Sequence, residues 1–211
     1  MYLFRTNAAL LLEAVAAIDK GEKVKVEIDM RDFVKVLQSA QALHRGDFKQ
    51  VKHERILPYA VWYDMVAEAE EIGGELKRLV NIVDSGQADH IIDVLEHYVT
   101  PPDAIATYTT AHKAKGREAQ QVILADDYPT NYKKGEWVGI SETEENLLYV
   151  AVTRSQNRLE INKSVAEVLE KYGIEFIDLV EDGDDVNEKY RAVVRKEIKA
   201  QQRLVRDCIE A

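Results

Sequence analysis

Short runs of β-branched and aromatic residues alternate with helical segments at both ends of this chain, while the stretch between them has helical periodicity alone. Tyr2 to Arg5 reads as a strand. A helix follows from Ala8 to Lys20 with Leu11, Leu12, Val15 and Ile18 in phase, and Gly21 stops it. Lys23 to Ile28 alternates charge with valine or isoleucine, as a half-buried strand should. From Asp32 to His97 the texture is helical, in segments separated by Gly46, Pro58, Gly73-Gly74 and Ser85-Gly86. After Pro101-Pro102 the alternation returns with IATYTT, QQVILADD, a helix from Glu142, RLEIN, a helix from Val165 and EFIDLV. Such alternation predicts an α/β fold with a mostly parallel sheet, residues 1–31 and 101–180, interrupted by an all-helical insertion at 32–100. Residues 181–211 read as an acidic linker, Glu181 to Asp185, and a C-terminal helix from Val186 to Ile209.

Two helix starts have the form of capping boxes, Ser141 with Glu144 and Ser164 with Glu167, each hydroxyl accepting a backbone N–H that the carboxylate answers. With 211 residues, 46% hydrophobic and 31% charged, the chain holds one sizeable core, or one core plus a small helical insertion. A formal net charge of -10 repels phosphate in bulk, so nucleic-acid binding requires a locally basic surface. Cys208 stands alone and the five histidines lack ligand spacing, which excludes an internal disulfide and a cysteine-based zinc site; no structural metal is expected. No apolar run approaches the roughly 20 residues that cross a bilayer, and the residues near the N-terminus lack the basic start, apolar run and cleavage site of a signal peptide. A cytoplasmic location without membrane attachment is the expectation.

Two segments carry chemistry. Thr109 to Glu118, TTAHKAKGRE, follows a strand and ends past a glycine, the place where open α/β sheets position ligands. Its hydroxyls, imidazole and ammonium groups suit phosphates or a nucleic-acid backbone; a solvated basic loop is the alternative. Glu144 to Arg158, EENLLYVAVTRSQNR, is an apolar helix that ends on Thr153 and Arg154, where a planar guanidinium can meet a phosphate or, alternatively, pair with an acidic neighbour at the surface.

Taken together, T-x-H-K-A-K-G-x-E and, further on, E-E-x-x-L-L-Y-V-A-x-T-R resemble motifs V and VI of UvrD/Rep-like superfamily 1 DNA helicases, and LFRTNAAL looks like their motif IV. The wording is nearest to the F-box DNA helicase branch and its bacterial or phage relatives, from which a bacterial or phage origin is expected. The resemblance covers about residues 1–30 and 104–180. It implies that the α/β part is the second RecA-like domain of an ATP-dependent, 3′-to-5′ helicase. By position and helical texture, residues 32–100 are then a reduced form of the family's mobile insertion.

By this resemblance Arg5 and Arg154 match arginines that reach the γ-phosphate of ATP held by the opposite domain, and both act as arginine fingers. Glu118 matches a glutamate that contacts the nucleotide ribose; the alternative for it is a helix-start carboxylate. Thr110 and His112 match positions that touch single-stranded DNA, with Lys113 and Lys115 as backbone contacts. Tyr149 and Val150 are expected in the core. The sequence departs from the family pattern at Arg117, where leucine is usual, Ala119, where an aromatic residue is common, Asn146, where many relatives have arginine, and Ser155-Gln156, where Ala-Lys is usual. No G-x-x-x-x-G-K-[ST] loop is present, so half of an ATP site is missing. ATP and Mg²⁺ are therefore expected only in a full-length parent, with none bound tightly to this chain. The expected partners are single-stranded DNA and an N-terminal RecA-like domain with the Walker loop, from the same parent chain or a separate subunit. The rival reading, supported by the negative charge and the missing loop, is a non-enzymatic docking or regulatory module of the same fold.

Overall fold

The computed structural model describes residues 1–128, 132–133, 136–137, 141–161, 165–166 and 191–194. Its elements are β1 (Tyr2–Phe4), α1 (Asn7–Asp19), β2 (Val24–Val26), α2 (Met30–His44), a 3-10 turn (Phe48–Gln50), α3 (Trp62–Ile72), α4 (Gly74–Asp84), α5 (Ala88–His97), β3 (Ala106–Thr110), β4 (Ala119–Leu124), β5 (Tyr132–Lys133), β6 (Glu136–Trp137), α6 (Glu142–Val152), β7 (Ser155–Ile161) and β8 (Arg191–Val194). They fall into two compact units, one formed by Met1–Arg5 with the residues from Thr109 onward, the other by Thr6–Tyr108. The sequence reading divides the chain at 31 and 101 instead; in the structure residues 6–31 group with the helices.

In the first unit β1, β4 and β7 run parallel, with Leu3 opposite Leu124 and Val122 opposite Leu159. Leu3, Val122, Leu124, Leu159 and Ile161 from the sheet form one core with Leu147, Leu148 and Ala151 of α6. Alternation along the strands aims these side chains at one face, and burying them supplies the main driving force for the layer. Helix α6 starts as expected: the Ser141 hydroxyl accepts the Glu144 N–H at 3.4 Å. The second half of that box is used differently, because the Glu144 carboxylate is engaged by Arg5. The Ser164 box, EFIDLV and the acidic linker lie outside the described residues.

One sequence expectation is corrected. Arg191–Val194, inside the stretch read as a terminal helix, is strand β8, antiparallel to β7 with Val193 opposite Leu159. Helical propensity is a weak prior, and two adjacent valines satisfy an open sheet edge at least as well as they fit a helix. The remainder of 186–209 lies outside the described residues.

The second unit is built on helix packing. Leu10, Leu11 and Val15 of α1, Phe33, Val36 and Leu37 of α2, Leu79 and Ile82 of α4 and Ile91 and Leu95 of α5 are all buried. The spacing of three and four in each helix creates the apolar stripe that drives this. Thr6 caps α1 by accepting the Ala9 N–H, and Gly21 ends it in the left-handed region at φ 80°. Asp29 caps α2 through the N–H groups of Arg31 and Asp32. Parallel strands β2 and β3 pair here through Val24 and Ala106, and the Tyr98 hydroxyl, which donates to Val24 O and accepts from Val24 N, holds β2 to the end of the helices.

Candidate functional site

The sequence candidates outside the second unit occupy the two ends of one sheet. Ala111 N–H donates to Phe4 O, and Arg5 N–H to the Asp127 carboxylate at 2.9 Å, which puts Arg5, Thr110 and Asp127 at the carboxyl ends of the strands. Ala125 N–H donates to Leu3 O at the same end, and six residues earlier, at the start of β4, Ala119 N–H donates to Arg154 O at 3.0 Å. That end is about 20 Å away at the rise of a strand. Residues 111–118 must cover this span, and in doing so they separate the basic side chains near β3 from Arg117 and Glu118 near β4.

At the carboxyl end, the Arg5 guanidinium grips both oxygens of Glu144 through Nε, and its Nη2 closes on the same carboxylate. The pair is partly buried, which strengthens it relative to a surface pair. Carboxylates around Arg5 raise its already high pKa, chiefly through the hydrogen bond to Glu144. Beside it the Tyr128 side chain is buried with its hydroxyl unpartnered among the described residues. Thr110 is buried and its hydroxyl accepts the Lys113 N–H at 3.5 Å, closing the first turn of the loop. His112, Lys113 and Lys115 are exposed, whereas Ala111 and Ala114 are buried and pin the loop to the core. No ion pair engages Lys113 or Lys115 among the described residues. Gly116 turns the chain at φ 82°.

At the amino end, Arg154 is held by three acceptors. Its Nε donates to Val150 O at 2.9 Å, Nη1 to Arg117 O at 3.2 Å and Nη2 to the Thr153 hydroxyl at 2.9 Å. A guanidinium has five N–H bonds, so among the described residues one on each terminal nitrogen is left over. These partners are carbonyls and a hydroxyl, not the acidic neighbour of the alternative reading. Glu118 precedes β4 directly and so is not a helix-start carboxylate; its Oε2 accepts from Gln156 Nε2 at 2.8 Å. Gln156 in turn accepts from Gln120 Nε2 at 2.7 Å. The register between β4 and β7 shifts here, so Gln156 and Asn157 face Gln120 alone, and this bulge aims Gln156 at Glu118.

Arg154 and Glu118 are therefore brought together, and Arg5 and Arg154 are not. Glu144 and Arg154 lie ten positions apart at the two ends of α6, a separation of about 15 Å along a helix. Tyr149 and Val150 are half-buried rather than enclosed. Sequence reasoning named Thr153, Arg117 and Gln156 but missed what they contribute: the Thr153 hydroxyl and the Arg117 carbonyl as acceptors for Arg154, and Gln156 as a donor to Glu118. Among the described residues no cluster of three metal-binding side chains occurs, and no helix is long and apolar enough to cross a membrane.

Residues 106–161 match the family model described as the UvrD-like helicase C-terminal domain. The chain is 23% identical over 185 residues to F-box DNA helicase protein 1 of Schizosaccharomyces pombe, covering 79% of this chain and 21% of that protein. It is 30% identical over 112 residues to F-box DNA helicase 1 of Gallus gallus, covering 48% of this chain and 10% of the relative. The chain thus spans about a fifth of one relative and a tenth of the other. Both relatives are eukaryotic, which gives no support to a bacterial or phage origin. No solved structure matches the chain.

Proposed function

We propose that this chain, whose residues 106–161 match the UvrD-like helicase C-terminal domain, supplies one face of an ATP site and part of a single-stranded DNA path to an N-terminal RecA-like domain that carries the Walker loop and holds Mg²⁺. Arg154 carries this reading. Three fixed acceptors leave it, among the described residues, with one N–H unbonded on each terminal nitrogen, a fork that fits two oxygens of a phosphate. Glu118 lies beside it; Oε2 accepts from Gln156, and Oε1, to which no described residue donates, can accept from a ribose hydroxyl. Neither group can bind a nucleotide's phosphates alone, because the backbone cradle and lysine of a Walker loop are absent from this sequence.

In this assembly Arg154 stabilises negative charge that develops on the transferred phosphoryl group and is released when that group leaves. Arg5 serves differently. With its guanidinium committed to Glu144, it ties the end of β1 to the first turn of the helix whose other end bears Arg154. His112, Lys113 and Lys115 line the DNA backbone from the exposed loop, with Thr110 as the hinge that shapes its start.

The test uses this chain joined with a Walker-bearing domain, in single-turnover ATP hydrolysis at saturating single-stranded DNA. Arg154→Lys keeps the charge and loses the fork, and turnover is expected to fall about 10³- to 10⁵-fold, or about 4 to 7 kcal/mol of barrier. Near-normal hydrolysis by a well-folded Arg154→Lys protein rejects the assignment. The chain alone is expected to show no ATPase.

A further inference from the structure

We propose that Thr153 is a positioning residue for Arg154, one that sets which edge of the guanidinium faces outward. This deepens the reading of Arg154 as the phosphate-facing arginine and rests on it. The Thr153 hydroxyl has one proton, and it is spent on Val150 O at 3.0 Å. Toward Arg154 the oxygen can then present only lone pairs, and Nη2 donates to it at 2.9 Å. Val150 O accepts a second time, from Arg154 Nε at 2.9 Å. Together the carbonyl and the hydroxyl grip the Nε–Nη2 edge of the fork as the two oxygens of a carboxylate would, but without a negative charge. This difference has a chemical consequence. A carboxylate there would neutralise the arginine and compete with phosphate, whereas two neutral acceptors orient it and leave its charge available.

The third contact, Nη1 to Arg117 O at 3.2 Å, comes from an exposed loop and is the longest of the set. Without the hydroxyl, Nη2 loses its only partner among the described residues, and beyond the intrinsic barrier of the delocalised Nε–Cζ bond, rotation is opposed by that loop carbonyl alone. Thr153 also ends α6, its backbone N–H donating to Tyr149 O at 3.1 Å. A purely capping role predicts the same behaviour of Arg154 whether or not a hydroxyl is present, because the backbone bond survives substitution. Threonine suits the task because its Oγ1 readily bonds the preceding turn in a helix.

Two measurements separate the possibilities. Nitrogen-15 NMR of the 211-residue chain follows rotation of the Arg154 guanidinium, which is expected to be slowed in the parent and in Thr153→Ser and to speed up toward the rate of a solvated arginine in Thr153→Val. In the assembled helicase Thr153→Val is expected to lower kcat for ATP about 10- to 100-fold, the worth of one hydrogen bond to a charged group. KM for ATP should stay near the parent value, and Thr153→Ser should restore most of the turnover. Equal guanidinium rotation in parent and Thr153→Val overturns the positioning role, as does unchanged kcat in Thr153→Val when Arg154→Ala is inactive. If Arg154→Ala also turns over normally, the phosphate-facing reading fails instead, and the NMR result still decides whether Thr153 holds the side chain.

Discussion

Tyr128 illustrates what a single buried hydroxyl does to this protein. It is nearly inaccessible and has no hydrogen-bond partner among the described residues. Burial pushes its pKa well above the ordinary tyrosine value, Asp127 and Glu144 push the same way, and Arg5 opposes them. In the unfolded chain the phenol titrates near 10. Above that pH the unfolded state loses a proton that the folded state keeps, so stability is full below about pH 10 and falls as pH rises beyond it. Tyr128→Phe removes this term together with an unsatisfied polar atom, and its melting temperature is expected to decline less between about pH 10 and 11 than the parent's. Parallel decline of the two proteins in a melting series would exclude Tyr128 as a source of alkaline sensitivity. At this scale the sequence revealed the candidates better than their partners. Arg154 and Glu118 were recognisable from the pattern around them and do stand together. The link between Arg5 and Glu144 was not, since the two are 139 positions apart and Glu144 already had a plausible local task as the carboxylate of a capping box. Ser155 and Thr109 are buried with hydroxyls that have no partner among the described residues, a cost that no local pattern announces.

The loop from Ala111 to Glu118 is the element on which both halves of the proposed site depend. Gly116 holds φ 82° there, and a Cβ added at that position would meet nothing within 4 Å. Any penalty for replacing it is therefore conformational rather than steric. Gly116→Ala is expected to destabilise the first unit by about 1–2 kcal/mol, the usual cost of a left-handed residue with a side chain. Gly116→Asn should cost distinctly less, because asparagine tolerates that region. Denaturant titration of the two variants checks the order, and equal losses would show that the turn itself is not what the glycine provides. Helix ends, by contrast, were readable in advance. Gly21 and Ser141 mark boundaries through their own chemistry, and the structure puts a stop and a cap there. What could not be read was pairing that depends on a distant neighbour. Strand β7 begins at Ser155, three residues before the RLEIN run, because Ala119 is waiting opposite it, and β8 forms where local periodicity favoured a helix.

For the molecule as a whole, the question is how a chain of net charge -10 meets an anionic polymer. Lys113 and Lys115 are exposed on a loop whose alanines are fixed in the core, so a local positive site exists within a repulsive overall field. Single-stranded binding releases counterions with a slope near −0.7 per phosphate neutralised, so two lysines give a log–log salt slope of about −1.4. Salt also screens the general repulsion, and this acts in the opposite sense and flattens the slope further. The chain alone is thus expected to bind single-stranded DNA weakly, with a much shallower salt dependence than an assembled helicase whose two domains both contact the strand. Lys113→Ala/Lys115→Ala should remove most of what slope there is and reverse its sign if the repulsive field is all that remains. Fluorescence anisotropy of a labelled oligonucleotide, titrated at several salt concentrations between about 50 and 200 mM, measures both quantities. A double variant with the parent's affinity and slope would mean that the strand passes elsewhere on the surface, and the loop would then revert to the solvated basic turn that its composition alone allows.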